Sequence, residues 1–418
     1  MPMTKRLIVV LAILGIGGGA YFLGFQQGGE RPKESVSAPP PAPEVPKTAS
    51  PGPGSGTNPR AHPPGAGPDR SAAANHAVPY THFRVGNSNV KAMLADGNLM
   101  WIGTSGGVIR YDTVTDQHRL FDVRSGLLSN GVFHLSKIGE RLVVGTYGGG
   151  LSIFDPNKEV WENYNIQHGL ADAFVYDVLR ASNGDVWIAT WSGANRVRGG
   201  ALNQRDRWET FTVKNTGNGL PNDWVYGLRE GTQGEIWMAT EGGVARYHEG
   251  KWTHWQHKDG IGAPYAQVKE QIEFTRDPAK ESSHHARQKA EQGLTGVDVA
   301  FNPNYIVSLE IDKDGSVWAG TWGAGLSHFD GKRWKNFTKP DGLPSNYVFL
   351  LRRDRAGRFW VGTSSGLALM TNGKFRVFTA TDGLFADNVF SLAVSDQDSL
   401  WVGSYGGVSR FARIPETP

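Results

Sequence analysis

Short runs of alternating apolar and polar residues recur from about residue 80 to the C-terminus. They are mostly four to seven residues long, and Gly, Asp or Asn stands between them. This pattern is typical of β-strands joined in hairpins and not of amphipathic helices. Each repeat predicts four strands: a run that opens on Val or Ile, a run such as Trp-Ile-Gly-Thr, a run such as Gly-Val-x-Arg-Tyr, and a run with two aromatic residues three apart.

The hairpins of these repeats align with one another. They begin at Leu99, Arg141, Val186, Ile236, Val317, Phe359 and Leu400. Four-stranded units of about 40–45 residues are the blades of β-propellers. We therefore predict an all-β fold, a seven-bladed β-propeller over residues 80–414. The last repeat stops after its third strand, near Phe411, while Tyr80-Thr-His-Phe83 fits a fourth strand. We predict that residues 80–85 complete the last blade, since this removes an exposed sheet edge.

The N-terminal part of the chain has a different pattern. Leu7 to Phe25 are 19 residues without a charge, and Lys5 and Arg6 precede them. Such a run can cross a hydrocarbon core of about 30 Å as a helix, with the basic end in the cytoplasm. We expect residues 1–27 to be a transmembrane anchor, or alternatively a cleaved signal peptide. Residues 28–79 are rich in Pro and Gly and predict a disordered linker.

These segments predict a location for the propeller. We expect it on the outer side of a bacterial cytoplasmic (inner) membrane, in the periplasm or beyond, held by a single span at residues 7–25. If the N-terminal segment is cleaved, the protein is expected to be secreted.

One connection between repeats is much longer than the others. In four repeats, 11 residues separate the last aromatic residue of the fourth strand from the Val or Ile that opens the next repeat. Between Trp255 and Ile306 this separation is 51 residues. The insertion, residues 262–301, is polar and predicted to be partly helical. A long insertion on a binding face is often a lid or a docking element for a partner. A solvated loop is the alternative.

Candidate ligand-binding residues come from one face of the propeller, where the loop between second and third strands lies beside the connection between blades. The residues that follow the small-Thr or small-Ser pairs are Ser105, Tyr147, Trp191, Glu241, Trp322, Ser364 and Tyr405. The connections add Ser88, Asn130, Asp223, Asn304, Asn346 and Asp387. Converging aromatic rings, carboxylates and amides suit a small ligand, a glycan or a peptide. Alternatively, the Asn and Asp residues cap turns and the aromatic residues pack over the neighbouring blade.

Composition and motifs narrow the choice of function. The chain has 43 Lys and Arg residues against 40 Asp and Glu residues, so nucleic acid is not an expected partner. The absence of Cys excludes disulfides and thiolate zinc sites. No nucleophile elbow or phosphate loop is present, and Asp312-Lys-Asp314-Gly315 lacks the twelfth-position Glu of a calcium loop. His284 and His285 are interpreted as solvated. We therefore predict no catalytic residues, no metal and no cofactor.

The repeats resemble the two-component regulator propeller family, whose blades carry Asn-x-Val, an Asp-x-x-Gly turn, Leu-Trp-Ile-Gly-Thr and Gly-Gly-x-x-Arg-Tyr. These motifs stand here as Asn130-Gly131-Val132, Asn346-Tyr347-Val348, Asp354-Arg-Ala-Gly357 and the aligned hairpins. The resemblance implies an exported, noncatalytic sensor of the kind found in hybrid histidine kinases. No kinase follows before Pro418, so we expect a separate membrane signalling protein as partner.

Two other functions stay open. The repeats are loosely similar to streptogramin lyases, which implies a lyase or hydrolase using Glu241, Asp223 and His168 on the same face. The other alternative is a scaffold of a periplasmic protein complex that docks through the insertion or the blade edges.

Overall fold

The computed structural model describes residues 79–414, and nearly all regular structure in this range is β-strand. The predicted anchor, residues 1–27, and nearly all of the predicted linker, residues 28–79, lie outside the described residues. Within the described part of the chain, no helix is long and apolar enough to cross a membrane.

The strands are short except for the first. The first nine are β1 (Tyr80–Asp96), β2 (Leu99–Thr104), β3 (Gly107–Asp112), β4 (His118–Phe121), β5 (Val132–Ile138), β6 (Arg141–Thr146), β7 (Leu151–Asp155), β8 (Val160–Tyr164) and β9 (Val175–Arg180). The next nine are β10 (Val186–Thr190), β11 (Gly193–Val197), β12 (Trp208–Phe211), β13 (Val225–Glu230), β14 (Ile236–Thr240), β15 (Gly243–His248), β16 (Lys251–Trp255), β17 (Asn302–Ile311) and β18 (Val317–Trp322). The last nine are β19 (Leu326–Phe329), β20 (Trp334–Phe337), β21 (Val348–Arg353), β22 (Phe359–Thr363), β23 (Gly366–Thr371), β24 (Lys374–Phe378), β25 (Ser391–Val394), β26 (Leu400–Gly403) and β27 (Tyr405–Phe411).

In residues 79–414, five sheets contain four consecutive antiparallel strands each. They are β5–β8, β9–β12, β13–β16, β17–β20 and β21–β24. The predicted four-strand unit is therefore confirmed in these five blades. The remaining strands form one seven-stranded sheet in the order β25-β26-β27-β1-β2-β3-β4.

The prediction of seven four-stranded blades was wrong, because the structure has five. The reason is β1, which is 17 residues long. Its first part, Tyr80–Arg84, pairs with Gly407–Phe411 of β27, as the sequence predicts. The same strand continues without a break and pairs through Val90–Asp96 with β2. A single strand thus joins the first and last repeats into one sheet.

The first strands of the repeats meet at a central axis. Contacts run in chain order through β1, β5, β9, β13, β17, β21 and β25, and β25 contacts β1. The apolar core lies between neighbouring sheets, where the repeated Trp of the second strand is buried. These residues are Trp101, Trp187, Trp237, Trp318, Trp360 and Trp401.

Inner strands β1, β5, β9, β13, β17 and β21 carry a bulge at the same point. In each, the pairing register shifts immediately after the buried Val or Ile that opens the run. A bulge inserts one residue and re-aims its side chain. The inserted residues are Lys91, Phe133, Tyr176, Tyr226, Val307 and Phe349. The Tyr176 ring lies 4.9 Å from the rings of Phe133 and Tyr226. The repeated bulge therefore brings side chains of different sheets into contact at the axis.

The insertion folds against the blades and contains α1 (Tyr265–Val268) and α2 (Ser283–Glu291). The backbone N–H of Ala263 donates to the Ala324 carbonyl at 2.9 Å. Within the insertion, Lys289 Nζ lies 2.8 Å from Asp277 Oδ1, and both side chains are buried. A buried ion pair and backbone docking do not fit the alternative of a solvated loop.

Candidate ligand-binding site

The predicted Asn and Asp ligands of the connections accept hydrogen bonds from the local backbone. The pairs are Asn130 Oδ1 with Val123 N–H at 2.9 Å, Asp223 Oδ1 with Val213 N–H at 2.7 Å, Asn304 Oδ1 with His257 N–H at 2.5 Å, Asn346 Oδ1 with Lys339 N–H at 3.0 Å, and Asp387 Oδ1 with Ala380 N–H at 2.8 Å. In four of these five pairs, the donating N–H belongs to the first residue of a 3₁₀ helix that follows a fourth strand. The pair of Asp223 and Val213 is the exception. This repeated cap explains the pattern of Asn and Asp in the sequence.

The insertion covers the predicted ligand residue Trp322. Its side chain is 3 % exposed, and Phe274 of the insertion stacks on it with ring centroids 5.8 Å apart and planes at 20°. Tyr347 packs against both rings and donates its hydroxyl to the Ala300 carbonyl at 2.7 Å. Trp322 therefore contacts the insertion and not solvent.

Glu241 is also covered, and its partners are the two histidines of α2. Its carboxylate is fully buried, with Oε2 3.2 Å from His284 Nε2 and Oε1 3.0 Å from His285 Nε2. Burial raises the pKa of Glu241, but hydrogen bonds from His284 and His285 outweigh it and lower the pKa. The interpretation of both histidines as solvated was wrong. Among the described residues, no group of His, Asp and Glu side chains could hold a metal ion.

Four half-buried aromatic side chains on the same face form a continuous row, which we call the aromatic surface: Tyr147, Phe174, Trp191 and Trp224. Their centroids lie 4.6 Å apart for Tyr147 and Phe174, 4.8 Å for Phe174 and Trp191, and 4.7 Å for Trp191 and Trp224. All three contacts are edge-to-face, the arrangement that the quadrupoles of aromatic rings favour. The structure thus brings together two predicted residues, Tyr147 and Trp191, through Phe174.

The two ends of the aromatic surface have different neighbours. At one end, the His284 ring stacks on Trp224 at 4.0 Å and 16°, so the insertion covers one face of that indole. At the other end, Tyr147 contacts Phe133 at 5.5 Å, and Lys91 Nζ lies 4.6 Å from the Phe133 ring. Burial lowers the pKa of Lys91 to about 8. Within residues 79–414, Lys91 makes no ion pair with a carboxylate.

The other predicted residues lie apart from the aromatic surface. Tyr405 is half-buried on β27, and its backbone N–H donates to Asn388 Oδ1 at 2.8 Å. Ser105 Oγ accepts from the backbone N–H of Asn89 at 3.0 Å, and the Ser364 hydroxyl donates to Glu273 of the insertion. The predicted ring of residues is therefore divided among separate environments.

Sequence reasoning missed Phe174, Trp224 and the bulge residues, although a signal was present. Each inner strand opens on a buried Val or Ile, and an aromatic residue stands on both sides of it in Phe174-Val175-Tyr176, Trp224-Val225-Tyr226 and Tyr347-Val348-Phe349. Strict alternation would place both aromatics on one face of the strand. The bulge interrupts this alternation, so that Tyr176 contacts Phe133 and Tyr226, whereas Phe174 contacts Tyr147 and Trp191.

Comparison with known families finds a match to one family model in three stretches of the chain. Residues 169–192, 300–323 and 342–365 match the family described as two component regulator propeller. No curated protein matches the chain in sequence.

Solved structures share the fold. The extracellular domain of a protein described as a hybrid two component system from B. thetaiotaomicron aligns with a TM-score of 0.60 at 19 % identity, covering 78 % of this chain and 39 % of that chain. A second extracellular domain from B. thetaiotaomicron, described as part of a one component system, gives 0.56 at 18 % identity and covers 79 % and 39 %. Virginiamycin B lyase from Staphylococcus aureus gives 0.53 at 10 % identity and covers 79 % and 98 %. This chain thus spans about two fifths of the first two structures, and likeness at these identities shows the fold alone.

Proposed function

We propose that the protein is a ligand-binding sensor propeller, displayed outside the cytoplasmic membrane and tethered through residues 7–25. The observation that carries this proposal is the aromatic surface, since a contiguous row of half-buried rings with a nearby cation is typical of a binding site. The likeness to extracellular domains of two component systems supports the sensor role by analogy of fold. A separate membrane protein would carry the signal into the cell.

The chemistry of the aromatic surface favours a ligand with a flat apolar face and an acidic group. Tyr147 and Trp191 offer ring faces and edges for stacking, while the Trp191 indole N–H offers a polar contact at the rim. Lys91 lies beyond Phe133 at the end of this row and has no carboxylate partner among residues 79–414. A ligand carboxylate reaching the axis would supply that partner. A glycan that contains acidic sugars combines both features and is the class to test first.

The insertion serves as a lid at the other end of the row. His284 occupies the face of Trp224 that a ligand ring would otherwise stack on, at 4.0 Å. Contacts with Glu241 hold His284 there at 3.2 Å. Ligands that extend past Trp191 would therefore displace α2, whereas short ligands would bind without moving it.

Isothermal titration calorimetry with neutral and acidic oligosaccharides tests the proposal. Acidic oligosaccharides are expected to bind. Trp191→Ala should weaken binding by about 30-fold or more, because a stacked ring at the centre of a site contributes about 2 kcal/mol. Lys91→Gln should remove the preference for acidic over neutral ligands.

Tyr80→Ala is the matched control, since Tyr80 is an aromatic residue that is 49 % exposed and lies on β1 outside the aromatic surface. It should bind like the wild type. Affinities within twofold of wild type for both Trp191→Ala and Lys91→Gln would overturn the assignment of the site.

A further inference from the structure

We infer that the inner strands also carry a nucleophilic site, formed by Ser136, His134 and Asp177, which hydrolyses carboxylic esters. Ser136 Oγ lies 2.7 Å from His134 Nε2, and His134 Nδ1 lies 2.8 Å from Asp177 Oδ1. Nucleophile, base and orienting carboxylate are thus linked in the order that activates a serine hydroxyl. This inference goes beyond the proposed binding function and departs from the expectation of no catalytic residues.

The fold explains how the three residues meet. His134 and Ser136 stand two apart on β5, so both side chains leave the same face of the strand. Asp177 stands on β9, the inner strand of the next sheet, which contacts β5. His134 and Asp177 each follow a bulge residue directly, Phe133 and Tyr176. The same bulge in neighbouring sheets therefore places the imidazole and the carboxylate at equal depth along the axis.

Asp177 is held in a fixed orientation by donors other than His134. Its Oδ2 accepts from the Leu228 backbone N–H at 2.8 Å and from the Arg229 guanidinium at 3.2 Å. Its Oδ1 accepts from the Val178 backbone N–H at 3.0 Å. Because this carboxylate is an acceptor only, it keeps the imidazole proton on Nδ1. The lone pair of Nε2 then faces the Ser136 hydroxyl, which is the tautomer that a general base requires.

A backbone donor stands next to the nucleophile. A two-residue turn joins Ile138 to Arg141, so these two residues form a hydrogen-bonded pair, and Ser136 with Val143 forms the next one. Lys137 lies between these pairs, and its N–H is therefore directed away from β6, toward the inner side of the sheet. An N–H of the residue after a nucleophile is suited to stabilise the oxyanion of a tetrahedral intermediate.

The reaction balances with water as the only co-reactant. Ser136 Oγ bonds to the ester carbonyl carbon while its proton passes to His134 Nε2. The bond from that carbon to the alkoxy oxygen breaks, and the alcohol leaves with the proton from Nε2. Water then attacks the acyl-serine by the same route, releasing the carboxylic acid and restoring Ser136. Ser136 is half-buried and not sealed from solvent, so a short acyl ester is the expected substrate class.

Active-site labelling and hydrolysis of p-nitrophenyl acetate by the full chain test the inference. A fluorophosphonate probe, which phosphonylates activated serines with loss of fluoride, should modify Ser136 in the folded wild type, as located by peptide mass spectrometry. Hydrolysis should fall by about 100-fold or more in Ser136→Ala and in His134→Gln, the range expected for loss of a nucleophile or general base.

Ser192→Ala is the matched control, because Ser192 Oγ donates to Asp172 at 2.7 Å without a histidine between them. It should hydrolyse the ester like the wild type. Absence of labelling at Ser136 in the folded wild type, or wild-type hydrolysis by Ser136→Ala, would overturn the inference. Ser136→Ala should bind oligosaccharides normally, so failure of this inference and failure of the proposed function are distinguishable.

Discussion

Replacing Asp177 with asparagine is expected to destabilise the propeller by an amount that depends on pH. The carboxylate joins three inner strands, since it contacts His134 of β5 at 2.8 Å and Arg229 of β13 at 3.2 Å from its own position on β9. Asparagine keeps one acceptor oxygen but loses the charge and presents N–H donors to groups that also donate. His134 and Arg229 then remain half-buried beside a neutral side chain.

The size of the expected loss of stability follows from the lowered pKa of Asp177. Burial raises its pKa, but the His134 hydrogen bond, the charge of Arg229 and the Leu228 backbone hydrogen bond outweigh burial and lower the pKa from 3.8 to about 2. One pKa unit corresponds to about 1.4 kcal/mol, so the ionised group stabilises the folded state by about 2.5 kcal/mol at neutral pH. Because the folded-state pKa is depressed, this contribution is complete above the unfolded pKa near 4 and is lost as pH falls through about 2. About half of it remains at pH 3.

Urea unfolding at pH 7 and pH 3 provides the assay. Asp177→Asn should lower the free energy of unfolding by about 2.5 kcal/mol at pH 7 and by about half as much at pH 3. Asp206→Asn is the control, because that side chain is 80 % exposed, and it should stay within about 0.5 kcal/mol of wild type. If Asp177→Asn lowered the free energy of unfolding equally at pH 7 and pH 3, ionisation of Asp177 would be refuted as the source of the stabilisation.

Three other substitutions test separate parts of the structure. Lys289→Met leaves the buried Asp277 carboxylate without its cation. The insertion should then be destabilised by about 3 kcal/mol and cleaved faster in limited proteolysis. An unchanged cleavage rate would contradict the docking of the insertion against the blades. Asn130→Ala removes a helix cap and should cost about 1 kcal/mol in urea unfolding, without changing oligosaccharide affinity by calorimetry; a large loss of affinity would make Asn130 a ligand contact. Phe83 stacks on Trp401 at 5.4 Å and 15°, so Phe83→Ala should cost about 2 kcal/mol and lower the Tm; an unchanged Tm would refute the role of β1 in closure.

The local architecture was predictable because its determinants are local. Alternation with a period of two and Gly-containing turns locate the hairpins, such as the one from Leu99, and each blade repeats the same signals. The unpaired fourth strand at Tyr80 and the missing one after Phe411 were enough to predict their pairing. The continuation of β1 through Gly86 into the next sheet was not predictable from the local pattern. Gly and Asn in that stretch predict a turn as readily as an extended strand.

The candidate site was only partly predictable. Tyr147 and Trp191 were identified by their position after the small-Thr pair, and they do lie on one surface. Trp322 and Glu241 occupy the same repeat position but are covered by the insertion, whose Phe274 and His284 pack on residues of the blades. Such contacts depend on tertiary docking between distant parts of the chain, and a polar, weakly patterned segment carries no periodic signal of them.

Deletion of the insertion would not isolate its role in binding. Removing residues 262–301 would expose Trp322 and leave the Glu241 carboxylate without His284 and His285. Loss of binding or of a partner in such a deletion would then report destabilisation as well as recognition. Single substitutions on the exposed side of α2 preserve the covered surface. Arg287, whose side chain is 69 % exposed, is suited to that purpose.

A crystal structure of the complex with the acidic oligosaccharide that binds most tightly in calorimetry would locate the ligand on the propeller. We expect a sugar ring stacked on Trp191 or Tyr147 of the aromatic surface and a ligand carboxylate within hydrogen-bonding distance of Lys91 Nζ. A ligand bound elsewhere on the propeller, with the aromatic surface and Lys91 unchanged, would contradict it.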